Sequence, residues 1–221
     1  MQAVILAAGL GKRLRPIMHR IPKSMIRLGG RNLIERNLSV LPKEIDEIII
    51  VVGHLQEKIR EYFGESWKNK KIKYLVQKKL LGTAHALFLC RKILKGRFLV
   101  LMGDNIYWQS DLQKCLHYNL TILTKEAKGN FISVIVNKNG WFKALQAVKS
   151  EGLMNAGAYV LDKNIFKYKK VRLPNNEFGL PQTLAVMARD CPIKVVKARR
   201  WLQINTRKDL NYANKNLKIK T

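Results

Sequence analysis

The stretch Leu6-Ala7-Ala8-Gly9-Leu10-Gly11-Lys12-Arg13-Leu14-Arg15-Pro16, followed by Pro22-Lys23, has the residue types of a polyphosphate site. Small residues at Ala7, Ala8 and Gly9 let backbone approach a ligand closely, and Gly9 and Gly11 permit a tight turn that exposes N–H groups. Lys12, Arg13 and Arg15 put three cations on that turn, and Lys23 adds a fourth. A guanidinium fork pairs bidentately with phosphate oxygens, so cations beside exposed N–H groups suit a chain of phosphates. The string contains neither the G-x-x-x-x-G-K-[ST] of a Walker loop nor the third glycine of a dinucleotide fingerprint. A strand ending in Gly-x-Gly is on its own equally compatible with a plain turn. The cations beside it favour phosphate.

Such a loop must be held by the elements around it, and the first half of the chain alternates strand and helix. Residues 3–7 form a short apolar run into the glycines, as a buried strand feeding a loop does. Residues 32–41 carry Leu33, Ile34, Leu38 and Leu41 at near-helical spacing, and the β-branched run 48–52 stops at Gly53. Helix is expected at 55–63, strand at 72–77, helix at 83–94 and strand at 97–102, closed by the polar break Gly103-Asp104-Asn105. This rhythm implies a mostly parallel sheet with helices on both faces. The second half is less regular, with strands expected at 131–136, 156–161 and 193–196 and helices at 182–189 and 207–216. The polar segment 137–152 is expected as a hairpin or flap. No repeat, low-complexity tract or linker interrupts the chain, so one α/β domain with an inserted substrate-facing portion is the economical reading.

Across 221 residues the chain has 42 Lys and Arg against 15 Asp and Glu, a formal net charge of +27, and 47% hydrophobic residues. That apolar fraction excludes wholesale disorder. No apolar run nears the roughly 20 residues of a membrane-spanning helix, and no membrane partner is expected. The N-terminus lacks the basic and longer apolar regions of a signal peptide. Cys90, Cys115 and Cys191 are odd in number and scattered, fitting neither a disulfide framework nor a zinc site. A cytoplasmic globular protein is expected. The basic runs at 68–73, 78–79, 167–170 and 194–200 lie apart, without a zinc-finger or RNP-type motif. A solvated basic surface is therefore favoured over nucleic-acid binding, and the same field would draw in a polyphosphate. His85, among apolar neighbours in the 83–94 helix, reads as a packed residue rather than a base.

The string LAAGLGKRLRP with its later PK closely resembles the signature of the sugar-phosphate nucleotidylyltransferases, roughly L-A-A-G-x-G-T-R-L-R-P…P-K. Gln77-Lys-Lys-Leu-Leu-Gly82-Thr83-Ala-His-Ala looks like that family's Q…GTA segment, and Leu101-Met-Gly-Asp104-Asn like its metal-binding L-x-G-D-N. Asn155-Ala-Gly-Ala-Tyr-Val resembles its N-A-G-x-Y-V strand, and Trp201-Leu-Gln-Ile-Asn-Thr-Arg-Lys-Asp-Leu its closing W-x-D-x-G-T-x-x-D-L. These motifs follow the family's order across nearly the whole chain. The resemblance implies a nucleotide-diphospho-sugar transferase fold, Rossmann-like and doubly wound on a mixed, mostly parallel sheet. One domain, 1–221, would then divide into a nucleotide-binding part at about 1–110 and a sugar-phosphate-binding part at about 111–221.

The reaction implied is attack by a sugar-1-phosphate oxygen on the α-phosphorus of a nucleoside triphosphate, giving NDP-sugar and pyrophosphate with Mg²⁺ required. UTP or dTTP is the favoured donor, because Leu-Gly-Thr-Ala-His-Ala resembles the hexose and hexosamine enzymes most. By the same resemblance Arg15 would hold the leaving pyrophosphate, Lys23 the sugar phosphate and the α-phosphate, and Asp104 the metal, the three forming the catalytic set. Leu6, Ala8, Gly9, Gly11, Lys12, Arg13, Gln77, Gly82 and Thr83 would bind the nucleotide, with Gln77 and Gly82 reading the base. Lys23, Gly140, Lys149 and Asn155 would bind the sugar phosphate, and Asn205 would join Asp104 at the metal.

The match departs in three places. Lys12 stands where the family has Thr or Ser, and Val148 stands where a sugar-binding Glu precedes the lysine matched by Lys149, with Glu151 nearby. The second metal-ligating Asp is replaced by Gln203 and the following glycine by Asn205. The hexosamine-1-phosphate uridylyltransferase branch uses an Asn in this closing region, which makes Asn205 the ligand. The inositol-phosphate cytidylyltransferases, with W-x-D-x-D-T-x-x-D, resemble the segment too. Three readings therefore stand: the sugar-1-phosphate enzyme, a CTP enzyme for inositol- or choline-phosphate, and a non-catalytic member binding nucleotide or a protein or RNA partner. A homo-oligomer is compatible with each. Ending at Thr221, the chain is expected to lack the β-helix acyltransferase domain of some relatives.

Overall fold

The computed structural model of the chain describes residues 1–11, 14 and 21–217. The first half runs β1 (Gln2–Leu6), β2 (Arg27–Leu28), β3 (Arg31–Asn32), α1 (Leu33–Ser39), β4 (Glu47–Val52), α2 (Gln56–Phe63), β5 (Ser66–Trp67), β6 (Lys70–Val76), α3 (Thr83–Leu89) and β7 (Arg97–Met102). It continues with β8 (Asn105–Ile106), α4 (Gln109–Leu116), β9 (Thr121–Lys128), β10 (Phe131–Val136), β11 (Phe142–Val148) and β12 (Glu151–Asp162). The chain closes with β13 (Val171–Arg172), β14 (Phe178–Gly179), α5 (Leu180–Met187), β15 (Lys194–Lys197), β16 (Leu202–Gln203) and α6 (Arg207–Asn216).

The main sheet has the order β11-β10-β12-β7-β1-β4-β6-β5, with β9 against β12 and β15 against β9. Its centre, β7-β1-β4-β6, is parallel, and β12 adds antiparallel to β7. The reason is legible in the side chains, which alternate faces along a strand. Ala3 and Ile5, Ile48 and Ile50, and Leu99 and Leu101 pack on one face with Ile34 and Leu38 of α1, Ile59 and Phe63 of α2, and Leu112 of α4. Val4, Leu6, Ile49, Val51, Phe98 and Val100 pack on the other with Leu87 of α3 and Leu184 and Met187 of α5. Strands buried on both faces read as continuous apolar runs, which is why these three were visible in the sequence. The expected doubly wound, mixed sheet is the observed one.

Several elements differ from expectation. The 83–94 helix ends its α-helical part at Leu89 and tightens into a 3₁₀ turn at Cys90–Lys92, where the N–H groups of Ile93 and Leu94 both donate to Cys90 O. The hairpin expected at 137–152, by contrast, is present: a turn at 137–140 leads into β11, paired antiparallel with β10. The strand expected at 156–161 begins five residues earlier, at Glu151. Burial holds the thiols of Cys90 and Cys115 up at about 12, so neither acts as a nucleophile. No helix among the described residues is long and apolar enough to cross a membrane.

The parallel strands end together, and their ends make the platform on which the glycine loop lies. Ala7 N donates to Val51 O at 2.8 Å and Gly103 N to Leu6 O at 2.9 Å, so the chain leaving β1 stays clamped between the ends of β4 and β7. A Cβ on Gly53 would stand 2.7 Å from Ala8 O, and the loop can lie this low only because Gly53 has none. Gly9 has nothing within 4 Å of such a Cβ. Gly53→Ala should therefore destabilise the chain by about 1–3 kcal/mol, whereas Gly9→Ala should leave thermal unfolding unchanged. Equal unfolding midpoints for the two variants would show that the loop does not rest on β4.

Candidate functional site

A cleft of about 490 Å³ opens at the carboxyl ends of the parallel strands, where ligands bind in open α/β sheets. Its floor is Leu6, Ala7, Ala8, Gly9 and Gly11; its walls carry Lys23, Ser24, Gln77, Gly82, Thr83, Asp104 and Glu177. Among the described residues no carbonyl accepts from the backbone N–H groups of residues 8–11. Lys12, Arg13 and Arg15 lie outside the described residues.

One end of the cleft is built by three distant segments. Pro22, in an extended conformation, leads into a 3₁₀ turn at Lys23–Met25 that points the Lys23 side chain inward, 11% exposed. Asp104 follows β7 and Gly103. The short ladder β8–β16 pairs Gln203 with Asn105, and Ile204 N donates to Asp104 O at 3.0 Å, which fixes residue 205 beside residue 104. Asn205 is fixed a second time by the start of α6: Thr206 and Asp209 form a capping box, and Asp209 Oδ2 also accepts from Asn205 N at 2.8 Å. The Lys23 ammonium thus donates to Asp104 Oδ2 at 2.5 Å and to Asn205 Oδ1 at 2.6 Å. A carboxylate oxygen and an amide oxygen converge on one cation.

The opposite end is built around Gly82. Its φ of +88° and the lack of a side chain let the turn before β14 pass over it, since a Cβ there would stand 2.6 Å from Phe178 O. Phe178 N donates to Leu81 O and Leu180 N to Thr83 Oγ1, bringing Glu177 into the wall. Gln77, 5% exposed, donates from Nε2 to Gly82 O at 3.1 Å.

Residues 2–140 match the model of a family described as nucleotidyl transferase. The chain belongs to that family. Over 192 residues it is 36% identical to the bifunctional protein GlmU of Methanococcus maripaludis, covering 84% of this chain and 46% of that protein. Over 173 residues it is 35% identical to D-glycero-α-D-manno-heptose 1-phosphate guanylyltransferase of Campylobacter jejuni, covering 75% and 78%. The solved structure of an inositol-1-phosphate CTP transferase from T. maritima superposes with a TM-score of 0.77 at 21% identity, covering 98% of this chain and 96% of that one, a likeness of fold. The chain spans about half the length of the GlmU relative.

Within this family member, the structure brings Leu6, Ala8, Gly9, Gly11, Lys23, Gln77, Gly82, Thr83 and Asp104 to one cleft and ties Asn205 to it through Lys23. The remaining expected residues among those described, Gly140, Lys149 and Asn155, lie elsewhere. Gly140 sits on a turn against Lys194, and Lys149 is exposed at the β11–β12 turn. Asn155 spends both ends of its side chain on the bulge in β12, donating to Tyr159 OH at 2.7 Å and accepting from Gly157 N at 3.0 Å. Gln203 lines a separate hollow with Met154, Trp201 and Tyr212 and makes none of the contacts at Lys23.

Three contributors were not anticipated. Ser24 lines the cleft with its buried hydroxyl unpartnered among the described residues, Glu177 enters from a part of the chain with no motif, and Asn105 works with Tyr107. Asn105 Nδ2 donates to Ala156 O and Tyr107 OH to Gly157 O, pinning the bulge of β12 behind Asp104. Burial pushes the Tyr107 hydroxyl well above its ordinary value, so it stays a donor. The asparagine of L-x-G-D-N could have signalled this role; Tyr107 and Glu177 left no trace in spacing or composition.

Proposed function

We propose that the chain joins a nucleoside triphosphate, UTP or dTTP, to a sugar-1-phosphate, releasing pyrophosphate. The observation that carries the reading is the meeting of a glycine-floored cleft at the ends of the parallel strands with the Lys23, Asp104 and Asn205 cluster. An oxygen of the sugar phosphate bonds to the α-phosphorus while the bond from that phosphorus to the bridging oxygen breaks, its electron pair leaving with pyrophosphate. A phosphate oxygen is already anionic, so no base is needed; what the protein must supply is alignment and cancellation of charge. Lys23 would hold the two phosphates together, the floor N–H groups would orient the triphosphate, and Arg15 would receive the leaving pyrophosphate. The choice of UTP or dTTP rests on the Leu81–Ala86 segment, and a guanine or cytosine donor is the alternative outcome of the assay.

We further propose Mg²⁺ at Asp104 and Asn205. The donor set suits it: two hard oxygens already converge on a cation, the Lys23 ammonium. Mg²⁺ keeps several waters and takes substrate phosphates as ligands, so two protein oxygens are enough for it here. When bound, it would neutralise charge on the triphosphate. Replacing the family's carboxylate by Gln203 leaves this pair as the site.

Pyrophosphate release, assayed over four nucleoside triphosphates with a panel of sugar-1-phosphates plus inositol- and choline-phosphate, should show turnover with UTP or dTTP and a sugar-1-phosphate. Turnover confined to an alcohol phosphate would overturn the substrate, and nucleotide binding without turnover for any acceptor would overturn the enzyme reading. Lys23→Ala should lower kcat/KM by about 10²-fold, as for other preorganised charges opposite a reacting phosphate.

The ammonium and the metal compete for the same two oxygens. A partly exposed ion pair is worth ~1 kcal/mol, so Lys23→Ala should bind Mg²⁺ about fivefold more tightly than the wild type in calorimetry without nucleotide. Asp104→Asn should bind it far more weakly. Weaker Mg²⁺ binding by Lys23→Ala would show that the two cations do not share these ligands.

A further inference from the structure

His85, expected as a packed residue, has a polar partner. Its Nδ1 lies 3.0 Å from Gln77 Nε2, the same amide nitrogen that donates to Gly82 O. The placement follows from local structure: Gly82 caps α3 and His85 is the third residue of that helix, so the ring turns back over the loop joining β6 to α3. A carbonyl oxygen only accepts, so the end of the Gln77 amide facing Gly82 O must be the NH₂ group. Its second N–H then meets the ring, and Nδ1 must be the bare, accepting nitrogen, with the ring proton on Nε2. Burial, and after it the Lys170 ammonium, lower the pKa of His85 and keep the ring uncharged.

Both protons of Nε2 are therefore committed inside the protein. What Gln77 retains for a ligand is Oε1, which has no hydrogen-bond partner among the described residues and is not sealed from solvent. The side chain lines the cleft. A base lying against it meets an acceptor and must bring a donor.

We propose that His85 is a positioning residue for base recognition. Together with Gly82 O it locks the Gln77 amide so that the cleft presents Oε1, and the base accepted there offers an imide N–H, as uracil, thymine and guanine do and cytosine does not. This rests on the reading of the cleft as a nucleoside triphosphate site. With one anchor removed, the amide pivots about Gly82 O and its freed N–H, costly to leave buried and unpaired, turns to the cleft, where the ring nitrogen of cytosine accepts it.

Binding of UTP, dTTP, GTP and CTP to the intact protein, without an acceptor substrate, tests this. The wild type should bind its best imide nucleotide about tenfold more tightly than CTP, a ratio one well-placed hydrogen bond supplies. His85→Phe and His85→Ala, which remove the acceptor with and without ring volume, should collapse that ratio to near unity, as should Gln77→Ala. His85→Asn, whose Oδ1 reaches the place of Nδ1, should restore it. A preference that survives both His85→Phe and His85→Ala but is lost in Gln77→Ala would overturn the role of His85 alone. Uniform weakening of all four nucleotides in both variants would make His85 a packing residue. A wild type that prefers CTP would overturn the proposal, and one that binds no nucleotide would overturn both it and the functional reading beneath it.

Discussion

The ammonium of Lys23, shared between Asp104 and Asn205, is the contact on which the rest of the site depends. It joins parts of the chain that are 81 and 182 residues apart, and each partner is aimed by a separate local device. A 3₁₀ turn after Pro22 aims the lysine, the break after β7 aims the carboxylate, and the capping box of α6 aims the amide. A half-buried charge is costly unless paired, so these devices are mutually dependent. The same positive charge that closes the cluster is the one a phosphate substrate would claim.

Behind the cluster, the fold solves a problem of clearance. The chain leaving β1 lies on the ends of β4 and β7, and this brings backbone within contact of both neighbours. Gly53 and Gly103 provide that clearance on either side, since a Cβ at Gly103 would also press on Leu6 O and Ala7. The N-A-G-x-Y run of β12 performs a comparable task, with Asn155, Gly157 and Tyr159 shaping a bulge that Asn105 and Tyr107 pin. Residues that a motif marks as functional can thus act through backbone shape.

The central strands were legible because both faces are buried, so runs such as 48–52 and 97–102 stand out without periodicity. α4 and β9 were not. α4 is eight residues long and largely polar, and β9 changes from fully buried at Thr121–Thr124 to alternating exposure beyond, so neither keeps one period long enough to register. At the site, the residue identities at 23, 77, 82 and 104 were read from the family pattern, and Asn205 from its hexosamine-1-phosphate uridylyltransferase branch. Their geometry did not: nothing in the spacing says that Asn205 is aimed by Asp209, that Gln203 faces another hollow, or that His85 reaches Gln77. Those facts belong to register and capping, which a one-residue shift would undo.

The most direct measurement is a double-mutant cycle between Lys23→Ala and Asn205→Ala, read in kcat/KM for pyrophosphate release. If one cation site joins the two residues, their effects overlap: the double variant should lose little more than the worse single variant, a coupling of about 1 kcal/mol or more. Losses that simply add, each residue acting without regard to the other, would contradict the account.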